Sequence, residues 1–546
     1  MSTRRDKLLR GSVASASPET AAPETAAPET AAPEPEQGVG EGREPEAGSG
    51  QAGSPEGAAR PDRVPWLIAM AVFAVYVPIS IFRYLRLDPT SWDLGIFTEY
   101  VKQYAHLHAP IVDIRGGGFN LLGDHFHPIV ALIAPFFRIF PTPVTLLVAQ
   151  ALLAAVSVVP VSRAAADKLG TGAGRAIGAA YGFSWGLQQM VNYDFHEIAF
   201  AVPLLACSLS ALVRGRTRAA VWWALPLVFV KEDQGFTVAA IGAFIIFQGI
   251  SASSRLGPQL GRAQLRGSVG WGALLVGWGL FWSVFAITVI IPHFNPLHEY
   301  YYWKDGGVVG GGHGFSVGSL IGQTAAGWPT KLQTVVLLLL PTAFAALGSP
   351  IALLALPSLL LRFISTNTAY WGTDWHYNAT IMPVLFIAAA VAIARWRAAD
   401  AGGPRVGLRV GLRVGLRDGL ARHAPPMMAA IAVALVFQFP LSTLWHGSTY
   451  TISRQVAADN AAMALVPDGA TVQTTLNLLA PLAARTDTFW IGNAGNPLTT
   501  YIVFDGKNSG YTPAPSNVPA FIAQLYPTAG YTQLFERSDV YVFRRR

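Results

Sequence analysis

Apolar runs are the feature of this sequence that most restricts its fold. Between residues 64 and 444 the chain returns repeatedly to uninterrupted stretches of Leu, Ala, Val, Ile and Phe, many of them near the roughly 20 residues that cross a hydrocarbon core. A segment inside lipid must satisfy its own backbone N–H and C=O groups, and an α-helix does so without help from neighbours. The chain therefore reads as an all-α polytopic membrane bundle. Composition agrees: 52% of the residues are hydrophobic and only 13% charged, about half the charged share of an ordinary soluble domain.

Eleven crossings are expected, at residues 64–85, 144–161, 176–190, 198–213, 219–230, 236–250, 271–291, 335–347, 351–364, 381–394 and 427–444. The apolar stretch 127–140 is too short for a full crossing and reads as re-entrant or interfacial. The basic groups Arg163/Lys168/Arg175, Arg214/Arg216/Arg218, Arg255/Arg262/Arg266 and Arg395 through Arg422 then share one side. By the positive-inside rule that side is cytoplasmic, with the N-terminus on it and the C-terminus outside the plasma membrane. The net charge of +7 is thus a topology signal, and no nucleic-acid partner is implied. A basic low-complexity linker at 395–426 reads as a contact for lipid headgroups.

The flanks differ in character. Residues 1–63 are rich in Ala, Pro, Glu and Gly, with Glu-Thr-Ala-Ala-Pro repeated in tandem from Glu19, and no apolar leader follows Met1. Such a segment buries too little apolar surface to offset its ordering entropy and is expected to be a disordered tail. The single cysteine, Cys207, excludes an internal disulfide. Residues 446–546 alternate as in a small external α/β domain, with strands expected at 470–475, 489–492, 501–505, 531–535 and 540–543 and helices at 450–466, 477–484 and 518–525.

Ionisable residues concentrate at the ends of apolar runs on the side opposite the basic loops. They are Trp92-Asp93 and Asp124-His125-Phe126-His127 in an external loop at 86–127, Asp194-Phe195-His196-Glu197, and Lys231-Glu232-Asp233. Further along come His298 to Asp305, including Lys304, in a second external loop at 292–332, and Asp374-Trp375-His376 just beyond Arg362. Charge at a membrane edge or in a bundle cavity is costly enough to mark function by default. Asp93 suits either a helix cap or a general base. Asp124, His125 and His127 suit helix entry, proton relay or a divalent metal such as Zn or Mn. Asp194, His196 and Glu197 sit where capping is the simpler alternative. The Lys231 triplet joins two apolar runs directly, so mutual neutralisation or a charged ligand is needed there. Arg362 and Lys304 are cations able to pair with phosphate. No phosphate-cradling glycine loop or serine-hydrolase elbow is present in the sequence.

The strings Trp92-Asp93-Leu94-Gly95-Ile96-Phe97, Gly123-Asp124-His125-Phe126-His127-Pro128, Asp194-Phe195-His196-Glu197 and Lys231-Glu232-Asp233, in that order, resemble a bacterial family of multi-pass membrane proteins defined as a domain of unknown function. That family in turn resembles the GT-C glycosyltransferases, which include protein mannosyltransferases and aminoarabinose transferases. The resemblance implies a polyprenyl-phosphate-linked sugar as donor and inverting transfer to an extracytoplasmic acceptor. It places the catalytic carboxylate at Asp93, with Asp124 as the alternative, because many GT-C members carry adjacent acids where Asp93 is followed by Leu94. Lys231, Lys304 and Arg362 would screen the leaving phosphate, and Asp124, His125 and His127 would hold a metal or orient the acceptor. Asp194, His196, Glu197, Glu232, Asp233 and His376 complete the expected substrate-binding set. A transporter of a small solute or lipid-linked intermediate is the rival, and it would show two similar halves with broken helices. A non-catalytic envelope-assembly protein is a third reading.

Overall fold

The computed structural model describes residues 62–88, 91–254, 258–303, 317–400, 408–511 and 513–546. The expected tail at 1–63 lies almost wholly outside the described residues, as does Lys304. Among the described residues five helices are long and apolar enough to cross a membrane: Val64–Leu85 (α1), Pro143–Leu169, Gln234–Ser253, Gly261–Phe294 and His376–Ala399. Shorter apolar helices are Pro128–Ile139, Glu197–Val213, Thr217–Phe229, Pro350–Phe363 and Ala421–Val436.

Several expected crossings are broken. The run at 176–190 is two helices, Thr171–Gly182 and Trp185–Asn192. The run at 335–347 is the end of the helix Trp328–Leu339 followed by 3₁₀ turns, because Pro341 cannot continue the ladder and Ala343 and Phe344 take left-handed backbone angles. The basic linker is helical from Leu408 and runs on to Val436.

Close helix packing sets the floor of the charged region. A Cβ on Gly235 would lie 2.2 Å from the carbonyl oxygen of Gly279, and one on Gly279 would lie 2.3 Å from that of Gly235. Paired glycines let the Gln234–Ser253 and Pro258–Phe285 helices touch backbone to backbone, the usual device of membrane helices. The Ser283 hydroxyl then donates to the Glu232 carbonyl at 2.6 Å. A π-helical turn at Ala286–Ile290 in the second helix re-aims the chain beside the same region.

The C-terminal sheet has five strands: β1 (Thr471–Thr474), β2 (Asp487–Trp490), β3 (Tyr501–Asp505), β4 (Tyr531–Arg537) and β5 (Val540–Arg545). The order is β2-β1-β3-β5-β4, with β1 parallel to β2 and β3, and β5 antiparallel to β3 and β4. Alternation in β3 divides the packing: Tyr501 and Val503 meet the Arg454–Met463 helix, while Ile502 and Phe504 meet Val518–Leu525.

This sheet is not a separate body. Leu479, Ala480 and Ala483, from the helix that follows β1, share a core with Leu94 and Phe97 of helix α2 (Ser91–Ala105). Gly95 permits the contact, since a Cβ there would lie 2.9 Å from the Leu479 Cβ. Lys102 Nζ donates to the Thr486 carbonyl at 2.7 Å, Asn493 Nδ2 to that of Ile114 at 2.8 Å, and the Trp92 and Trp490 rings meet edge to face at 5.1 Å. The α/β unit thus clamps the helix that carries Asp93.

Candidate functional site

The Lys231 triplet joins Thr217–Phe229 to Gln234–Ser253 and lines a cavity of about 450 Å³. One part of its wall is polar, with His125, Glu197, Lys231, Glu232, Asp233, Arg362 and His376. Ile198, Phe236, Ile287 and Leu361 make an apolar part, and Tyr300, Tyr302, Tyr370 and Tyr377 add aromatic faces.

Its charges are held in two ion-pair groups. Glu197 is fully buried, with Lys231 Nζ 3.0 Å from Oε1 and His196 Nδ1 2.5 Å from Oε2; the Lys231 ammonium attracts the carboxylate, although the angles are not those of hydrogen bonds. Glu232 faces His125 Nδ1 at 2.7 Å and accepts from the Phe126 amide at 3.1 Å and the Tyr300 hydroxyl at 3.0 Å. Asp233 accepts from Gln234 Nε2 at 3.4 Å. These partners answer the cost of placing three adjacent charges beside lipid.

Arg362 is different. Its Nε donates to the Tyr370 carbonyl at 2.9 Å, its Nη1 to the Tyr377 carbonyl at 3.4 Å and Asn378 Oδ1 at 2.9 Å, and its Nη2 to the Gly372 carbonyl at 3.1 Å. All four acceptors are neutral, and among the described residues no carboxylate lies within ion-pair distance. The side chain is braced, and among the described residues one of its five N–H groups remains and no acidic partner meets its charge at the cavity wall.

The remaining expected residues flank the chamber. Asp93, in the first turn of α2, is half-buried and accepts a hydrogen bond from the Tyr193 hydroxyl. The Tyr193 ring lies 5.2 Å from the His376 ring, which stacks on His196 at 3.6 Å. Asp124 sits at the other end, accepting from Tyr302 at 3.0 Å and paired with Arg115 at 3.1 Å; Tyr302 in turn stacks on His125 at 4.4 Å. Asp93 and Asp124 are therefore outside the cavity wall, joined to it through tyrosines. Asp194 is a positioning group, because its Oδ2 accepts from the Leu94 amide at 3.4 Å in the first turn of α2.

The expected metal set does not converge. Asp124 faces Arg115 and Tyr302, His125 faces Glu232, and buried His127 faces the Tyr100 hydroxyl at 3.2 Å. The two imidazoles are 6.3 Å apart, and among the described residues no three His, Cys, Asp or Glu side chains are grouped as ligands. Adjacency in sequence did not become adjacency in space, because each side chain turns to a partner from another element. These residues do not fit a divalent ion.

Three contributors escaped the sequence reading. Tyr193 immediately precedes the Asp194 motif, and its position was the available signal. Arg115 is one of three cations, with Arg86 and Lys102, in the 86–127 segment, so its charge did not single it out. Glu99 of α2 is buried and accepts from the Ile114 amide at 3.2 Å, and burial pushes its carboxyl up to about 8. Nothing in a helical heptad announces such a group.

The model of the family described as "Predicted membrane protein (DUF2079)" matches residues 83–505. Among solved structures, ArnT from Cupriavidus metallidurans bound to undecaprenyl phosphate is similar over 88% of this chain and 97% of that chain, at 14% identity and a TM-score of 0.49. Its apo state gives a TM-score of 0.45 at the same identity and coverage. The Archaeoglobus fulgidus oligosaccharyltransferase in complex with Zn and sulfate is similar over 87% of this chain and 73% of that chain, at 12% identity and a TM-score of 0.42. A search of curated proteins returned no match.

Proposed function

We propose that this chain, which belongs to the family described as predicted membrane protein (DUF2079), transfers a sugar from a polyprenyl-phosphate donor to a hydroxyl acceptor on the outer side of the bacterial plasma membrane. The observation that carries the reading is Arg362, a buried guanidinium whose partners among the described residues are all neutral, on the wall of a cavity that is also partly apolar. An unbalanced buried cation is costly unless an anion completes it. A phosphate bearing a hydrocarbon tail satisfies both parts of the wall at once, its charge at Arg362 and Lys231 and its tail along Ile198, Phe236, Ile287 and Leu361.

Asp93 is the proposed base. Glu197 is engaged by Lys231, Glu232 by His125, and Asp124 by Arg115 and two tyrosines. Asp93 has the Tyr193 hydroxyl as its partner among the described residues and is not in an ion pair. In the reaction its carboxylate takes the acceptor hydroxyl proton as that oxygen bonds to the anomeric carbon from the face opposite the phosphate. The anomeric C–O bond breaks, its electron pair leaves with the polyprenyl phosphate, and the configuration inverts. Arg362 and Lys231 offset the charge that grows on the departing phosphate. Tyrosine faces around the cavity provide stacking surfaces for the sugar.

Envelope glycans from a deletion strain, compared with the same strain carrying wild-type or Asp93→Asn protein, test the reading. The wild type is expected to restore a missing glycan and D93N to fail while reaching the membrane in equal amount. Restoration by D93N removes Asp93 from the base role. Unaltered glycans with changed solute uptake would favour the transporter instead.

A further inference from the structure

The opposite end of the same helices carries a second concavity that the transfer reaction does not use. The Glu197–Val213 helix leads from the chamber to the Arg214–Arg218 turn, about 25 Å away at about 1.5 Å per residue. There a groove of about 800 Å³ opens between that turn and the start of the Pro258–Phe285 helix. Arg216, Thr217 and Arg218 form one wall, and Gln264, Ser268 and Trp271 the other.

Charge and position together define what fits. Arg214 is already engaged by Asp167 at 2.5 Å, whereas Arg216 and Arg218 are exposed and have no carboxylate partner among the described residues. Arg218 lies 6.0 Å over the Trp271 ring, an arrangement that holds a guanidinium at the edge of an apolar surface. About one helical turn beyond the groove-lining Arg218 and Trp271, the apolar side chains of Trp222 (67% exposed), Trp223 (47%) and Leu274 (45%) are exposed. A guanidinium pair with hydroxyl and amide groups, opening onto an acyl-chain surface at a membrane boundary, is complementary to one chemistry.

We propose that this groove binds the phosphodiester headgroup of an anionic phospholipid in the leaflet opposite the chamber, with the acyl chains along Trp222, Trp223 and Leu274. Native mass spectrometry of the full-length protein, delipidated in detergent and titrated with phosphatidylglycerol or phosphatidylcholine, tests it. Phosphatidylglycerol is expected to be retained at concentrations where phosphatidylcholine is not. Arg216→Gln/Arg218→Gln should weaken that binding roughly thirtyfold, from two lost headgroup cations. Because those arginines also help set topology, Gly267→Leu is the second variant. A Cβ at this exposed groove-lining glycine meets nothing within 4 Å, so leucine enters the groove with every charge kept, and it should weaken binding several-fold. Equal retention of both lipids, wild-type binding by either variant, or displacement by millimolar inorganic phosphate would overturn the proposal.

Discussion

Glu197→Gln should move stability and ligand affinity in opposite directions. Glu197 is fully buried and its partner Lys231 is 17% exposed by side chain, at a separation of 3.0 Å. Removing one member of a buried pair typically costs about 3–5 kcal/mol, because the other charge is left uncompensated. Here Glu232 and Asp233 adjoin Lys231 in sequence, so the lower end, about 3 kcal/mol, applies. For a chain of 546 residues, at about 2.1 cal/mol/K of unfolding entropy per residue, that is a fall in Tm of about 3 °C. The released ammonium can then meet a phosphate in the cavity. One charge-assisted hydrogen bond, at the low end of its range, about 1.5 kcal/mol, tightens polyprenyl-phosphate binding at least about tenfold. Both quantities are measurable on purified protein, whose 15 tryptophans report melting and ligand titration. The double variant Glu197→Gln/Lys231→Met should melt higher than the two single losses predict when added. A Tm within 1 °C of wild type, or weaker phosphate binding by Glu197→Gln, would refute the assignment of Lys231 to both partners.

Two further outcomes follow from the packing. Asp459 is fully buried in the Arg454–Met463 helix beside Asp505, whose oxygens already accept from Gln455, Asn477, Asn508 and Lys507. Burial and that like charge push its carboxyl up to about 8. The folded state therefore holds this proton more tightly than the unfolded chain, so the stabilisation is complete below about pH 4 and is lost as pH rises towards 8. Melting curves across that window should show wild type losing more stability than Asp459→Asn, and parallel curves would contradict the raised value. Gly235→Val places a Cβ 2.2 Å from the Gly279 carbonyl oxygen and 2.3 Å from Ser283 Oγ. Overpacking of this kind costs about 1–3 kcal/mol or more, so this variant should give a lower Tm and reduced membrane yield; unchanged melting would count against backbone contact between these helices.

Much was determined by sequence alone, for reasons that are local. Apolar run length decides that a segment is a membrane helix, and period-two patterning with turn residues located all five strands of the sheet within a few residues. The charged strings at helix ends also announced themselves, because ionisable groups in an apolar context are rare. Tertiary structure decided what those groups face. Asp124, His125 and His127 read as one ligand set, yet the fold turns them to Arg115, Glu232 and Tyr100. Asp93 and Tyr193 meet across 100 residues, and His125 and Glu232 across 107. The broken run at 176–190, the π turn at Ala286–Ile290 and the docking of the sheet onto α2 through Gly95 belong to the same class. Hydrophobicity and backbone satisfaction act along the chain and can be read from it. Ion pairing, stacking and steric fit act between elements that only folding brings within a few ångströms.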